Sequence, residues 1–360
     1  MEVKVLSSKL VRPSYPAGAP RPDTTEHVPS SVFDKATYHM QMAIIYAFSP
    51  PGPSPADIER GLAAVLAVYR LFAGQLVPGP DDGAPGVLLN DHGARLVEAT
   101  VDANLADIAP TKPSPAVLQL HPDLDGEIAE LVQVQLTRFA CGSLAVGFTA
   151  NHAVADGHAT SDFLVAWGRA ARGLPIGHSP PFHHPEAHFT KDFVAGLRAK
   201  ASEGRGRPFS RFETILAHVW RTITKARGLG NPFQTSTIRI SVDGRPRLAA
   251  PQGYFGNLVL WGVVHRLREL GGRGEEGLEP TAVLKDVLCP DLEVDSWLTF
   301  PFYELDFGAG CPTYFMPSYF PTEGMLFIVP SYLGDGSVDV FVPLFEHNLE
   351  AFKQCCYSME

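Results

Sequence analysis

The sequence predicts an α/β protein with mixed β-sheets flanked by helices, arranged as two domains. Three observations lead there. Strand-like apolar runs and helix-period stretches are mixed along the chain without the strict alternation of a doubly wound parallel sheet. At 360 residues the chain is long for one compact domain. A Pro- and His-rich stretch, 176–188, lacks any periodicity and reads as a crossover at 179–193, between a domain over 1–178 and another over 194–360.

Val3, Val5, Leu6, Leu10 and Val11 predict an early strand that stops near Pro13, and a Pro/Gly/Thr-rich loop follows to about Ser31. Met40 to Phe48 has the look of a buried strand ended by the prolines from Pro50 to Pro55. Ile58, Leu62, Val65, Leu66, Tyr69 and Phe72 then fall on one helical face, with Ser54-Pro55 as start signal and Gly74 as stop. Runs over 131–137 and 144–150, on either side of Cys141-Gly142-Ser143, read as a hairpin. A helix over 160–171 ends near Gly173, and a second spans about 210–227 with Phe212, Ile215, Leu216, Val219, Trp220 and Ile223 on its apolar face. Strands are expected at 235–242, 256–264, 324–330 and 337–344, and a closing helix near Asn348.

The composition, 45% hydrophobic and 19% charged, is that of a globular chain able to bury a large core without staples. Five scattered cysteines without CxxC spacing point to reduced thiols and a cytoplasmic location. The first residues carry no signal-peptide run, and no segment approaches a membrane span, so no membrane partner is expected. A net charge of −10 with no basic block argues against nucleic acid.

The second strand of the hairpin runs into His152-Ala153-Val154-Ala155-Asp156-Gly157. In isolation, His152 and Asp156 have the spacing of a routine ion pair on a helix face. Their place at a strand end favours chemistry, because rigid backbone there presents side chains to a cleft, and Gly157 permits close approach. Two further blocks follow: Ser241-Val242-Asp243-Gly244-Arg245-Pro246-Arg247-Leu248 with Gly253-Tyr254-Phe255-Gly256-Asn257, and Asp306-Phe307-Gly308-Ala309-Gly310. Each alone is an unremarkable strand, turn or loop.

Three other patterns mislead. The glycine run at 272–277 spells GxGxxG, but no βαβ setting surrounds it and Pro280 blocks a following helix. Asp306-Phe307-Gly308 lacks the companion motifs of a kinase. His178, His183, His184 and His188 match no zinc spacing, so no metal is expected.

In their order, the three blocks resemble the plant BAHD acyltransferase family, with its HxxxD, DGRxRL…GYFGN and DFGWG motifs. Tyr69 to Gly74 and Phe212 to Trp220 extend the likeness over nearly the whole chain. The resemblance implies two chloramphenicol-acetyltransferase-like domains with a channel between them. It implies acyl-CoA as co-substrate, no permanently bound cofactor, a small acceptor and a monomer. His152 would be the general base of a ternary-complex reaction, with no acyl-enzyme. Asp156 would turn away to pair with Arg245 or Arg247, and Asp306, Gly308 and Gly310 would shape a loop away from the reacting atoms.

Departures from the family pattern sharpen the reading. Ala309 stands where the family has tryptophan, as in its amine-acylating branch. Thr299 occupies the place where members that acylate shikimate carry an arginine, which disfavours an acidic acceptor. The resemblance therefore favours transfer of a hydroxycinnamoyl-type group to an amine such as putrescine, agmatine, tyramine or tryptamine, with Glu304 a candidate carboxylate for its charge. An alcohol acceptor and a non-catalytic member are the alternatives, the latter because the chain is shorter than the family at the crossover and after Trp261.

Overall fold

A computed structural model describes residues 2–30, 34, 37, 40–78, 85–108, 115–122, 128–176, 187–229, 236–246, 255–265, 288–318 and 322–358. In chain order they begin with β1 (Val3–Val11), β2 (His27–Pro29), β3 (Gln41–Phe48), α1 (Pro55–Val68), β4 (Gln75–Pro78), β5 (Pro85–Leu88) and β6 (Ala94–Val101). Next come α2 (Leu105–Ile108), α3 (Pro115–Leu118), β7 (Val132–Phe139), β8 (Leu144–Asn151) and α4 (Gly157–Ala171). They continue with β9 (Ala187–Phe189), α5 (Lys191–Ser202), α6 (Arg211–Ala226), β10 (Thr237–Asp243), β11 (Val259–His265) and β12 (Leu292–Ser296). The last are β13 (Tyr314–Pro317), β14 (Met325–Pro330), β15 (Val338–Phe341) and α7 (Glu346–Cys355).

The chain forms two compact units. The first comprises Met1–Phe182, Arg245–Leu258 and Phe300–Tyr319, and the second His183–Gly244, Val259–Thr299 and Phe320–Glu360. The sequence reading placed the boundary between 1–178 and 194–360; in the structure the grouping follows contacts across that boundary. The segment with Arg245 and the one with Asp306 leave the C-terminal half and join the first unit. Arg245 does so by an ion pair to Asp156, and the Asp306 stretch by pairing β13 with β3.

In the first unit six strands run in the order β1-β6-β7-β8-β3-β13. Only β6 and β7 pair in parallel, so the sheet is mixed. β3 is buried from Met42 to Phe48, which explains its unbroken apolar run: both faces of this central strand are covered. On one face Phe148 of β8 packs against Phe163 and Trp167 of α4. Helices α1 and α4 come so close that a Cβ on Gly61 would lie 2.5 Å from the Ala171 nitrogen. The Trp167 indole N–H donates to the Ile58 carbonyl at 2.9 Å. Gly147 of β8 allows the chain at 120–121 to lie flat on the sheet, since a Cβ there would meet the Leu120 carbonyl oxygen at 2.1 Å. His121 is thereby buried, shares a 2.6 Å hydrogen bond with the Ser318 hydroxyl, and has its pKa pushed down to about 3 by desolvation. β2, β5 and β4 form a separate small sheet.

The second unit holds a six-stranded mixed sheet ordered β11-β10-β12-β14-β15-β9, with β10, β12 and β14 parallel. Ile238, Leu292, Val294, Leu326, Ile328 and Val338 form its core with Ile215, Val219 and Trp220 of α6. The Ser210 hydroxyl caps α6 by accepting from the Glu213 N–H, while Glu213 accepts from the Ser210 N–H. Arg227, just past the helix, is buried in an ion pair with Glu323.

The expected mixed α/β architecture with flanking helices is observed. Three details differ from the sequence reading. The second helix, expected from Thr160, starts at Gly157 because Asp156 caps it. Part of the expected crossover, 187–189, is a strand on β15, and helix α5 follows it at once. Strands β2, β4, β5, β6, β12 and β13 were not anticipated, β2 falling in the stretch read as a loop. Arg247, the glycine run at 272–277, and His178, His183 and His184 lie outside the described residues.

Candidate active site

Strand β8 delivers His152, and helix α4 receives the chain at Gly157. Between them the loop is pinned at each end. The His152 N–H donates to the Met40 carbonyl at 2.9 Å, and the Ala153 N–H to the Asn151 side chain at 3.0 Å. The imidazole is half-buried, and its Nδ1 is enclosed without a hydrogen-bond partner among the described residues.

Asp156 turns inward, only 3% exposed. Its Oδ1 accepts from the Ala159 N–H at 2.9 Å, which caps α4 and places a carboxylate at the positive end of the helix dipole. Arg245 grips the same carboxylate with both terminal nitrogens, at 2.8 Å to Oδ2 and 3.0 Å to Oδ1. The Leu258 N–H adds a fourth bond at 2.9 Å, to Oδ2. One Arg245 nitrogen also donates to the Gly256 carbonyl at 2.8 Å. Fork-on-fork geometry of this kind fixes orientation as well as charge. The sequence left the partner open between Arg245 and Arg247; Arg245 fills the role here.

Next to this clamp, the fully buried Asn257 donates from Nδ2 to the His152 carbonyl and to Asp34 Oδ1, each at 2.9 Å. Its backbone N–H donates to the same Asp34 oxygen at 3.2 Å. Neither residue was assigned a role by sequence. Asn257 sits inside the quoted YFGN block, which was the available signal; Asp34 offered none. Phe255 of the same block packs edge-on against Tyr69 and Phe72, anchoring the segment to the end of α1.

Asp306 lies at the opposite end of α4, about 20 Å along a 15-residue helix. Its Oδ1 accepts from the Gly308 and Gly310 N–H groups, and its Oδ2 pairs with Arg172 at 2.8 Å. Gly308 and Gly310 hold φ of 100° and 94°, conformations that glycine adopts without strain. Glu304 ends a one-turn 3₁₀ helix (Phe302–Glu304) in the same unit, whereas Thr299 is exposed in the second unit. The structure thus gathers His152, Asp156, Gly157 and Arg245 at one end of α4. It sets the Asp306 loop at the other.

Among the described residues no group of three or more His, Cys, Asp or Glu side chains is placed to hold a metal. No helix among them is long and apolar enough to cross a membrane.

The family model described as "Transferase family" matches residues 1–192, 186–270 and 280–359. The chain is 64% identical to a putrescine hydroxycinnamoyltransferase of Oryza sativa subsp. japonica, with 100% of each chain covered. That alignment runs over 453 positions against the 360 residues here, so about a fifth of its positions have no counterpart in this chain. It is 42% identical to agmatine hydroxycinnamoyltransferase 1 of the same organism, covering 100% of this chain and 99% of the relative. In fold it is similar to F. sporotrichioides TRI101, solved in complex with coenzyme A and T-2, with a TM-score of 0.73, 14% identity, and coverage of 91% of this chain and 97% of that one.

Proposed function

We propose, for a chain that belongs to the Transferase family and is a BAHD acyltransferase, that it moves a hydroxycinnamoyl-type acyl group from coenzyme A to an aliphatic amine, putrescine first among the candidates. The observation that carries this reading is the full-span identity with an enzyme named for that transfer, together with an intact His152–Asp156 loop.

In the proposed reaction the acceptor ammonium first loses a proton to solvent. The neutral amine attacks the thioester carbonyl carbon while His152, as neutral imidazole, takes a second proton from the amine nitrogen. The C–N bond forms, the C–S bond breaks, and the imidazolium returns its proton to the departing thiolate. An amide and the free thiol of coenzyme A result, and no acyl-enzyme is needed. Asp156, Arg245 and Gly157 act by holding the loop, and Asp306, Gly308 and Gly310 by shaping the far end of α4. Glu304 supplies a carboxylate for the distal charge of a diamine, and Thr299 leaves out the arginine that an acidic acceptor needs. The five cysteines are all free thiols, which supports a cytosolic setting.

Thiol release from coumaroyl-CoA, measured with putrescine, agmatine, tyramine, tryptamine and shikimate, tests the reading. Turnover highest with a diamine is expected. Release with shikimate but no amine would reassign the acceptor to an alcohol. No release with any acceptor from a folded sample would favour a non-catalytic member, the reading to which the missing fifth of the aligned positions points.

A further inference from the structure

We infer that Asn257, held by Asp34, is a positioning residue for His152, acting through the peptide carbonyl of the histidine. The inference rests on the reading of His152 as the base.

The Asn257 side chain spends both amide hydrogens, one on Asp34 Oδ1 and one on the His152 carbonyl, each at 2.9 Å. With the backbone N–H of Asn257 also donating to Asp34 Oδ1, the carboxylate meets two donors and settles which way the amide faces. The His152 carbonyl is therefore met by a buried donor that cannot flip. Asn257 and Leu258 are adjacent, and the second donates to Asp156. One dipeptide thus fixes both ends of the 152–156 loop: Asn257 the residue that carries the imidazole, Leu258 the residue that caps α4.

Arg245 secures only the far end of this loop. At the near end the His152 N–H is held by Met40 and its carbonyl by Asn257, so the peptide plane leading into His152 is set by the first bond and the one leading out by the second. The Cα–Cβ bond of His152 follows from the two planes together, so loss of the Asn257 bond frees one of them, and a base displaced by about 1 Å loses on the order of 10²-fold in rate.

The test exchanges the pair. In Asp34→Asn/Asn257→Asp the new amide at 34 donates to the new carboxylate at 257, which rebuilds the side-chain contact but gives up the bond from the backbone N–H of residue 257, and the His152 carbonyl faces an oxygen instead of an N–H. The expected result is a folded protein with a lowered melting temperature, kcat lowered by at least about tenfold, and KM for coumaroyl-CoA and for putrescine within about twofold. Asn257→Ala, which removes the donor without adding charge, is expected to show the same split between kcat and KM and serves if the exchanged pair does not fold. A parental kcat in either folded variant would overturn the inference. His152→Ala is measured alongside. Parental kcat there would instead remove the base reading, and the inference with it; loss of activity there with full activity in the Asn257 variants would remove the inference alone.

Discussion

Arg245→Met tests the clamp on Asp156 most directly. The change deletes two guanidinium bonds to the carboxylate, at 2.8 and 3.0 Å, and one to the Gly256 carbonyl. Removing one partner of a buried ion pair costs about 3–5 kcal/mol, because the remaining charge stays desolvated. Asp156 keeps the Ala159 and Leu258 N–H groups, each at 2.9 Å, which places the cost near the lower end, about 3 kcal/mol. For a unit of this size that corresponds to a melting shift of roughly 6–12 °C. Urea unfolding, paired with hydrogen exchange of the amides in 157–171, reads the loss where it should fall. Asp156→Asn provides the second edge of a double-mutant cycle, since its amide would turn a donor toward Arg245 or toward the Leu258 N–H. Coupling of at least about 2 kcal/mol is expected between the two positions. Coupling below about 0.5 kcal/mol would refute the clamp as a stabilising contact.

Two further outcomes follow from packing and burial. Gly168→Ala would place a Cβ 2.7 Å from the Asp306 carbonyl oxygen and 2.9 Å from its nitrogen, so helix and loop must separate; a loss of about 1–3 kcal/mol, with faster exchange over 306–310, is expected in the same unfolding and exchange experiments. His121, buried neutral with its pKa near 3 against an ordinary value of 6.5, is uncharged in the fold and protonated in the unfolded chain between those pH values. Stability present above pH 6.5 is therefore lost as pH falls toward 3, by about 2 kcal/mol between pH 6.5 and 5. Urea midpoints of His121→Gln should fall less steeply over that interval. Some slope should remain, because desolvation lowers the pKa of His218 in the same direction; an unchanged profile in the variant would count against the assignment to His121.

Where side chains repeat with the period of their element, the fold was readable. The β7–β8 hairpin, the stripe on α6 and the face of α1 from Ile58 to Leu66 matched their expected stretches. Tyr69 and Phe72, expected on the same helix, lie past its end at Val68, Phe72 in a 3₁₀ turn (Arg70–Ala73). Helix α5 escaped because it buries only Val194 and Leu197 and so leaves no periodic signal. β13 escaped because four residues are too few to show alternation; its assignment depends on β3, far away in the chain. The same holds for the site. His152 and Asp156 were legible as a local pattern set at a strand end. The choice of Arg245, and the contribution of Asn257 and Asp34, depend on contacts spanning 89, 105 and 223 residues, which no local spacing encodes.

The unit that holds His152 is assembled from three separate stretches, and this bears on how it is made. Strand β3, apolar almost throughout, pairs with β8 on one side and with β13 on the other, where Tyr314 faces Ala47. At roughly 5–20 residues per second, the ribosome delivers β13 on the order of tens of seconds after β3. For that interval an apolar strand presents an unpaired edge, the kind of template that recruits other chains. Arg245 and Asn257 also emerge well after the loop they secure. The nascent half-unit is thus the aggregation-prone species on the way to the folded enzyme, and its yield in a cell depends on what shields β3 until residue 317 arrives.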